Sequence, residues 1–404
     1  MNILVLTSVY PQPDDPNNSG VTPVVHYFAK EWVKQGHNVL VVHNSNKYPS
    51  FVYLLSERFK GTINSKVGGF IPNKNIGVLD YQIDGVKVLR LPITKKVPRK
   101  PFSSKQINHQ YNKIKSYLKE KNFKPDFVTG HWENPQIPLL SMFKEDYSCK
   151  TSIVLHELHY IKKSNRWLNT LSRDIDTVGC RSVSMSQKLL NIVDTKDPFI
   201  CYSGLPNEFI EHAGYNKVPK KIFNETPLKN FVYVGRLILR KNIDVIIKSL
   251  NDVYPNKDFK LHIVGEGPEE SNLKSLVADL NLDHNIDFKG KLSRPEIMDL
   301  LRSSQGFIMV SEREAFGLVY LEAMLANCIV IGSKNEGIDG VINNNENGFL
   351  CKSNSVENLV ETLNYINKLD EETKERIANT ALEAALKFSD SKVAEHYLRN
   401  AVKS

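Results

Sequence analysis

The feature that most constrains this chain is the alternation of short apolar runs with segments of helical periodicity. The first three predicted elements are a strand at Asn2–Thr7, a helix at residues 21–35 and a strand at Asn38–His43. Strands joined through a helix pair in parallel, and a parallel sheet needs helices on both faces. The sequence therefore predicts an α/β fold with a doubly wound sheet.

The alternation is interrupted by a segment rich in proline and glycine at residues 203–229 and restarts with a predicted strand at Asn230–Val234. We therefore expect two α/β domains. The predicted parts are an N-terminal domain at residues 1–205, a linker at 206–228, a C-terminal domain at 229–385 and a final helix at 386–404. Such sheets bind ligands beyond the carboxyl ends of their strands, so we expect the active site in a cleft between the domains.

The net charge of +8 is unevenly distributed. Residues 1–205 carry 28 Lys and Arg against 16 Asp and Glu, whereas the rest of the chain carries 25 against 29. Twelve basic residues lie between Lys87 and Lys124, where Glu120 is the only acidic residue. Nucleic acid, an anionic membrane surface and a solvated basic face are all compatible with this pattern.

Composition narrows the class of protein further. The chain is 41% apolar and 24% charged, which is typical of soluble globular proteins, and no apolar run approaches the roughly 18 residues of a membrane span. The apolar N-terminus lacks a basic start and a cleavage site, so it is predicted to be a buried strand rather than a signal peptide. The five scattered cysteines are typical of free thiols in a reducing cytoplasm.

The most informative motif places Glu314 and Glu322 eight residues apart, across the junction of a predicted strand and helix. The amides of residues 316–318 then form a free helix N-terminus, which favours a phosphate. One carboxylate is placed for sugar hydroxyls, the amides for a diphosphate and the other carboxylate for a ribose. An ordinary capping acid followed by a solvated helical acid is the alternative that the spacing alone leaves open.

Two cations, Arg236 and Lys241, follow the first predicted strand of the second domain. Arginine offers a planar fork and lysine a point charge, and both commonly bind phosphate. A Gly-Arg pair after a strand is, by itself, also typical of an ordinary turn.

In their order and spacing these motifs resemble family 4 retaining glycosyltransferases of the GT-B fold, or glycosyl transferases group 1. Residues 314–322 resemble the Glu-x7-Glu region of that family, and residues 235–241 its Gly-Arg and Lys signature. Residues 264–268 resemble its Gly-x-Gly-Pro turn and residues 288–290 its base-binding turn. His156 lies where the family has a histidine that faces the donor.

The resemblance assigns roles residue by residue. It implies that the donor is bound by Gly20, Gly235, Arg236, Lys241, Gly265, Lys289, Gly290, Glu314, Phe316, Gly317, Leu318 and Glu322. It implies that the catalytic residues are Glu314, His156, Arg236 and Lys241, with His131 as a further candidate on the acceptor side.

The resemblance also implies an architecture and a mechanism. Two Rossmann-like domains face each other across a cleft, the first binds the acceptor and the second the nucleotide-sugar, and the final helix packs back on the N-terminal domain. The reaction proceeds on the front face of the donor with retention, without a metal or cofactor. Glu314 positions the sugar, Arg236 and Lys241 stabilise the diphosphate, and Glu322 holds the ribose. UDP is the commonest donor nucleotide in the family.

The sequence departs from the family pattern in places. It has Ser19-Gly20 where many members have two glycines, Asn327-Cys328 in a turn that is usually Gly-x-Pro-Val, and Glu336-Gly337 where two glycines are usual. The last departure bears on contacts to the donor sugar. The histidines of residues 156–159 are three apart at a strand end, unlike the His-Glu-x-x-His of helical zinc sites, so we expect no metal there.

The resemblance implies a hexosyltransferase of bacterial surface polysaccharide, capsule or glycoconjugate synthesis. The alternative is a nucleotide-sugar epimerase or phosphorylase of the same fold. A nicotinamide-dependent oxidoreductase would need Gly-x-Gly-x-x-Gly near the first strand, and a nucleic-acid-binding module would leave the second half unexplained. We expect a cytoplasmic protein whose basic half, with the apolar stretch at residues 48–55, docks on an anionic membrane and takes a lipid-linked or saccharide acceptor.

Overall fold

The structure is a computed structural model that describes residues 1–13, 23–54, 77–95, 100–158, 165–213, 223 and 227–403. The chain forms two compact units, each with its own sheet. The first unit comprises Met1–Arg181, Ser186–Cys201 and Val393–Ser404. The second comprises Ser182–Met185 and Tyr202–Lys392.

The described residues of the first unit contain an eight-stranded sheet and a two-stranded ladder. In chain order the strands are β1 (Asn2–Thr7), β2 (Asn38–His43), β3 (Asn46–Lys47), β4 (Leu79–Ile83), β5 (Val86–Arg90), β6 (Ile93–Thr94), β7 (Phe127–His131), β8 (Lys150–Leu155), β9 (Thr177–Cys180) and β10 (Phe199–Ile200). The sheet has the order β10-β9-β8-β7-β1-β2-β5-β4 and is parallel except for β4 against β5. The ladder pairs β3 with β6.

Helices follow the strands, as a parallel sheet requires. Those before the second sheet are α1 (Val24–Lys34), α2 (Ser50–Tyr53), α3 (Ser104–Glu120), α4 (Gln136–Tyr147), α5 (Asn165–Arg173) and α6 (Val183–Leu190). Residues 3–7 of β1 and 39–43 of β2 are completely buried. The central strands are apolar along most of their length because both faces of the sheet are covered.

The register of this sheet gathers histidines at one edge. Thr7, at the end of β1, pairs with His43 on β2 and with His131 on β7. His131 pairs in turn with Val154 of β8, two residues before His156. The carboxyl ends of neighbouring parallel strands therefore bring the three histidines to the edge where such sheets bind ligands.

The second unit contains a six-stranded sheet that is parallel throughout, in the order β13-β12-β11-β14-β15-β16. Its strands are β11 (Asn230–Val234), β12 (Lys260–Val264), β13 (Ile286–Gly290), β14 (Gly306–Ile308), β15 (Ile329–Ser333) and β16 (Phe349–Cys351). The strand order reverses between β11 and β14, and ligands of doubly wound sheets bind at such a reversal. The segments that leave β11 and β14 carry Arg236, Lys241 and Glu314.

The helices from residue 207 onward are α7 (Asn207–Ala213), α8 (Ile243–Val253), α9 (Glu270–Asp279), α10 (Arg294–Ser303), α11 (Leu318–Leu325), α12 (Val356–Lys368), α13 (Glu371–Ala385) and α14 (Asp390–Val402). Residues of α14 from Val393 onward belong to the first unit. There the indole N–H of Trp32 donates to the carbonyl of Ala394 at 3.0 Å, and the Thr177 hydroxyl donates to the carbonyl of Ala401 at 2.9 Å. The expected packing of the final helix on the N-terminal domain is thus present.

The predicted α/β architecture with two Rossmann-like halves is confirmed. The structure adds β4, which forms a hairpin with β5 through Asp84 and Gly85, both at positive φ. It also places α7 in the segment predicted to be a linker. The five cysteines, all within the described residues, are buried and form no disulfide, as expected. None of the described helices combines the length and the apolarity that crossing a membrane demands.

Candidate active site

An ion pair between Lys241 and Glu314 lies at the reversal point of the second sheet. Nζ of Lys241 is 2.5 Å from Oε2 of Glu314, and a guanidinium nitrogen of Arg240 is 3.6 Å from the same oxygen. Lys241 is only 8% exposed, so its charge is largely removed from water. The fold therefore brings together two predicted site residues that are 73 positions apart in the sequence.

The loop that carries Glu314 is fixed by backbone contacts. The amide N–H of Glu314 donates to Oε2 of Glu336 at 2.9 Å, and the amide N–H of Glu312 donates to the carbonyl of Arg240 at 2.8 Å. The guanidinium of Arg240 donates back to the carbonyl of Glu312 at 3.3 Å. These bonds hold the end of β14 against the turn after β11. Glu336, which stands where the family pattern has a glycine, thus accepts a hydrogen bond that fixes the backbone at Glu314.

Arg236 differs from Lys241 in both its exposure and its contacts. Its side chain is exposed, and among the described residues its guanidinium forms no ion pair or hydrogen bond. It follows β11 directly, at the same reversal point as Lys241 and Glu314. An arginine without an acidic partner keeps all its donors available for an anion.

The glycines near the ends of β11 and β12 allow two turns to pack backbone against backbone. A Cβ atom at Gly265, where φ is +129°, would lie 2.0 Å from the carbonyl oxygen of Gly235. A Cβ atom at Gly267 would lie 2.2 Å from the carbonyl oxygen of Leu237. Packing alone therefore requires small residues here, and donor binding by Gly235 and Gly265 stays a prediction.

The predicted phosphate-facing amides lie at the N-terminus of α11. Gly317 precedes this helix at φ +84°, and no side chain caps it. Phe316 is buried at 3% exposure, and Leu318, the first helical residue, is partly buried. The first N–H groups of an α-helix lack intrahelical partners and attract anions. The first helical residue, Leu318, follows Glu314 by four residues, so the predicted amides and carboxylate are close in the chain.

Glu322 is held by an arginine that the sequence analysis did not identify. Nε of Arg294 lies 2.7 Å from Oε1 of Glu322, whose side chain is 9% exposed. The guanidinium of Arg294 also stacks over the ring of Phe209, with its carbon 4.7 Å from the ring centroid. The carboxylate predicted to hold the ribose is therefore anchored in one orientation. Arg294 lies 28 residues from Glu322, and no spacing rule links the two.

Lys289 and Gly290 end β13. The Lys289 ammonium pairs with the carboxylate of Asp287 on the same strand. Gly290 has φ +62°, and a Cβ atom there would meet nothing within 4 Å. Its carbonyl accepts a hydrogen bond from the amide of Gly265 at 2.8 Å. The predicted base-binding turn is thus joined to the glycine turn after β12, and open space lies beside it.

In the first unit His156 and His131 are in direct contact. Nδ1 of His131 is 3.1 Å from Nε2 of His156. The ring of Trp132 stacks on His156 with a centroid separation of 4.0 Å and an angle of 13°. Trp132 has φ +65°, a strained conformation for a bulky residue that tends to occur at functional sites. The structure therefore joins the predicted donor-facing histidine to the second histidine candidate.

Glu133 is a third candidate beside these histidines, and the sequence analysis missed it. The residue is 1% exposed, and one carboxyl oxygen is buried and has no hydrogen-bond partner among the described residues. Burial, and then the negative charge of Glu157, raise the pKa of its carboxyl to about 9. Glu133 is therefore protonated at neutral pH and carries a proton it can donate. Its position just after a buried strand was the available signal.

The shift in the pKa of Glu133 predicts a dependence of stability on pH. Because the folded protein binds this proton more tightly than the unfolded chain, the contribution of Glu133 to stability falls as pH rises from about 4.5 to about 9. The loss approaches about 1.4 kcal/mol per pH unit. We expect Glu133→Gln to melt at nearly the wild-type temperature at pH 5 and at a higher temperature at pH 8.5. The exposed Glu145→Gln should show no such divergence, and parallel pH profiles for Glu133→Gln and wild type would refute the assignment.

The predicted features that lie outside the described residues include Gly20 in the first loop, His159 at the end of the superficial zinc motif and Leu55 at the end of the apolar stretch. Over the described ranges, no three His, Cys, Asp or Glu side chains are grouped so that they could hold a metal ion. The predicted independence of metal stays a prediction.

The geometry agrees with the comparison to known proteins. The sequence profile of the family described as glycosyl transferases group 1 matches residues 216–383, which include Arg236, Lys241, Glu314 and Glu322. This match covers less than half of the chain. The chain is similar to an uncharacterised glycosyltransferase of Methanocaldococcus jannaschii, with 29% identity over 271 residues that cover 65% of the chain and 71% of the relative.

A second relative has a named product. The N-acetyl-alpha-D-glucosaminyl L-malate synthase of Bacillus anthracis is 28% identical over 206 residues, which cover 48% of this chain and 53% of the relative. The chain thus spans about half the length of that relative.

Among solved structures, the chain is similar to Anabaena HepE in complex with UDP. The two align over 99% of each chain, with a TM-score of 0.67 and 16% identity. A further structure of HepE contains UDP-glucose and gives a TM-score of 0.63 at 16% identity, over 99% of this chain and 98% of HepE. The likeness shows that the chain has the GT-B fold of its structural neighbours.

Proposed function

We propose that this protein is a group 1 glycosyltransferase that moves a hexose from a UDP-sugar to an acceptor with retention of anomeric configuration. The observation that carries the proposal is the arrangement of charge at the reversal point of the second sheet. An unpaired Arg236, a Lys241–Glu314 ion pair and the uncapped N-terminus of α11 lie on segments that meet there. Cations and free amides suit a diphosphate, and a nearby carboxylate suits sugar hydroxyls.

What is known of similar proteins supports the choice of nucleotide and the stereochemistry. HepE has been crystallised with UDP and with UDP-glucose. The B. anthracis relative is named for an alpha-glucosaminyl product. UDP-glucose is itself an α-glycoside, so an α-linked product made from such a donor would correspond to retention.

In the proposed reaction the residues of the second unit have separate tasks. Arg236 binds the diphosphate as negative charge accumulates on it. Lys241 is shared between Glu314 and the diphosphate, so that it ties the sugar-binding carboxylate to the leaving group. Glu322, oriented by Arg294, accepts hydrogen bonds from the ribose hydroxyls. The bond between the anomeric carbon and the phosphate oxygen breaks, and the acceptor oxygen bonds to the same face while its proton passes to the leaving phosphate.

A nucleotide-sugar screen tests the proposal. UDP-hexoses should raise the melting temperature above that with GDP- or ADP-sugars, because a ligand of the native state stabilises it by mass action. With a donor identified, NMR of the product in the presence of acceptors should show an α anomer. A β anomer would contradict retention. Conversion of the donor sugar without an acceptor, or a strict requirement for phosphate, would instead indicate the epimerase or phosphorylase alternative.

We also propose that the first unit docks on an anionic membrane. Helix α2 exposes Phe51 and the following Leu54, at 66% and 85%. It follows β3, which pairs with β6, and the carbonyl of Thr94 on β6 accepts a hydrogen bond from Gln106 in the first turn of α3. The exposed apolar turn and the basic helix are therefore attached to the same ladder.

The charge on α3 is on the side away from the core. Ile107, Ile114 and Leu118 are buried, whereas Lys105, Lys113 and Lys119 are exposed. At 100° per residue these lysines lie opposite the buried face. Each such residue contributes about 1 kcal/mol near an anionic surface. Together with Phe51 and Leu54 they supply the charge and the apolar anchor that reversible binding needs.

Vesicle sedimentation tests the membrane proposal. We expect the protein to pellet with phosphatidylglycerol-containing vesicles at low salt, and binding to fall as salt shortens the Debye length to about 8 Å at physiological ionic strength. Phe51→Ser with Leu54→Ser, and separately Lys105→Glu with Lys113→Glu, should each abolish most of the binding. Tyr365→Ser, which alters an exposed aromatic residue of α12, is the matched control. Retention of the wild-type protein in the supernatant would favour a soluble saccharide acceptor.

A further inference from the structure

Four side chains of the first unit form a continuous hydrogen-bonded chain: His156, His131, Tyr397 and Thr129. Nε2 of His156 is 3.1 Å from Nδ1 of His131, and Nε2 of His131 is 3.2 Å from the Tyr397 hydroxyl. That hydroxyl is 2.5 Å from Oγ1 of Thr129. The chain links the histidine predicted to face the donor to the last helix of the protein, α14.

Thr129 sets the direction of the protons along this chain. Its hydroxyl is fully buried, and within the described residues Tyr397 is its only hydrogen-bonding partner. A buried hydroxyl proton without an acceptor is costly, so Thr129 donates to the oxygen of Tyr397. The Tyr397 proton is then donated to Nε2 of His131, and the His131 proton on Nδ1 is donated to Nε2 of His156. His156 must therefore carry its own proton on Nδ1.

The proton arrangement described above needs one proton on each imidazole ring, so both His131 and His156 must be neutral. The surroundings of the two rings favour the neutral form. Burial, and then the charge of Arg181, lower the pKa of His131 to about 3. Burial also lowers the pKa of His156 well below its ordinary value. Within the described residues Nδ1 of His156 has no hydrogen-bond partner, and the residue is partly exposed. Stacking against Trp132 fixes the plane of the ring.

Packing around α14 holds Tyr397 in place. Its ring contacts Phe28 and Trp32 of α1 edge-on, each at a centroid separation of 5.1 Å. The hydrogen bond from Trp32 to Ala394 fixes the same turn of the helix. The phenol oxygen is thus presented to His131 by rigid elements rather than by a loop.

We propose that Tyr397 is a positioning residue that holds His156, through His131, in the tautomer that offers an N–H at Nδ1 to an oxygen of the nucleotide-sugar. This inference rests on the proposed function, because it takes His156 to contact the donor. It implies that His156 donates a hydrogen bond and does not remove the proton of the acceptor. That proton passes to the leaving phosphate, and no proton moves along the histidine chain during transfer.

Selective ¹⁵N labelling of histidine tests the tautomer directly, with the His156 signals assigned from their loss in His156→Gln. The wild-type spectrum should show His156 protonated on Nδ1. In Tyr397→Phe, which keeps the ring and its packing, the Nδ1–H form should give way to a mixture, and kcat should fall about tenfold with KM for the donor nearly unchanged. Tyr111→Phe is the matched control: it removes another buried hydroxyl, bonded to Asp146, and should change neither the His156 signals nor kcat.

The outcomes separate this inference from the proposed function. His156 protonated on Nε2 in the wild type, or an unchanged tautomer in Tyr397→Phe, would overturn the positioning role even if the enzyme proves to be a retaining transferase. A changed tautomer with unchanged kcat would overturn the role of His156 in transfer, and that of Tyr397 with it. A failure of the wild type to transfer any hexose would instead contradict the proposed function. The spectra would still show the tautomer of His156 and its dependence on Tyr397.

Discussion

Arg236→Ala should lower turnover by on the order of 100-fold or more, the scale for the loss of one ligand to charge that develops in the transition state. The residue is exposed, and its guanidinium has no acidic partner among the described residues, so its removal leaves no buried charge behind. The melting temperature and circular dichroism should therefore match those of the wild type. Steady-state kinetics with a donor from the nucleotide-sugar screen measures the effect.

A matched control is Arg376→Ala, which removes an exposed arginine on α13. It should leave kcat and kcat/KM unchanged, whereas Arg236→Ala should lower both. Arg236→Lys should restore only part of the rate, because a point charge replaces a planar fork. Near-wild-type turnover in Arg236→Ala would contradict the assignment of this residue to the diphosphate.

Lys241→Ala should behave differently from Arg236→Ala because of its partner. Lys241 is nearly buried against Glu314, so its loss leaves a carboxylate whose nearest remaining cation is Arg240, at 3.6 Å. Removing one member of a buried pair is destabilising as well as functionally harmful. The sequence analysis predicts the same phosphate-binding role for both cations. In the structure they differ, because Lys241 is ion-paired with Glu314 and Arg236 is exposed.

Much of the fold was predictable because its signals are local. Strands β1, β2 and β11 occur at the predicted residues. Their apolar runs lie within single windows of sequence. The hairpin strand β4 was missed because its residues alternate between partly buried and exposed, with no buried run. Helix α7 was missed because seven residues flanked by proline and glycine carry too little periodicity.

Part of the site was predictable because its residues lie near the carboxyl ends of strands. His131 is the last residue of β7, Arg236 lies two residues after β11 and Glu314 six residues after β14, and parallel strands bring such residues to one edge. The partners could not be predicted, since they come from distant parts of the chain. Arg294 reaches Glu322 from another helix, and Tyr397 reaches His131 across 266 positions. Such contacts depend on packing, which one sequence does not reveal.

Glu314→Ala should abolish transfer while leaving the binding of free UDP nearly intact, and Glu322→Ala should weaken the binding of free UDP. The reason is the group that each carboxylate is proposed to meet. Glu314 meets the sugar, which free UDP lacks, whereas Glu322 meets the ribose, which free UDP retains. Isothermal titration with UDP and with UDP-sugar separates the two roles.

The ion pairs require matched variants in this experiment. Glu314→Ala frees Lys241 from its partner, and an unpaired ammonium at this place attracts phosphate. Free UDP should therefore bind Glu314→Ala as tightly as the wild type or more tightly, and Glu314→Gln should show the same trend. Glu322→Ala frees Arg294, so Arg294→Ala is needed to show whether loss of the anchor alone weakens UDP binding. We expect Arg294→Ala to weaken it less than Glu322→Ala does. If Glu314→Ala loses free UDP while Glu322→Ala keeps it, the two carboxylates have the opposite roles and the donor lies reversed in the site.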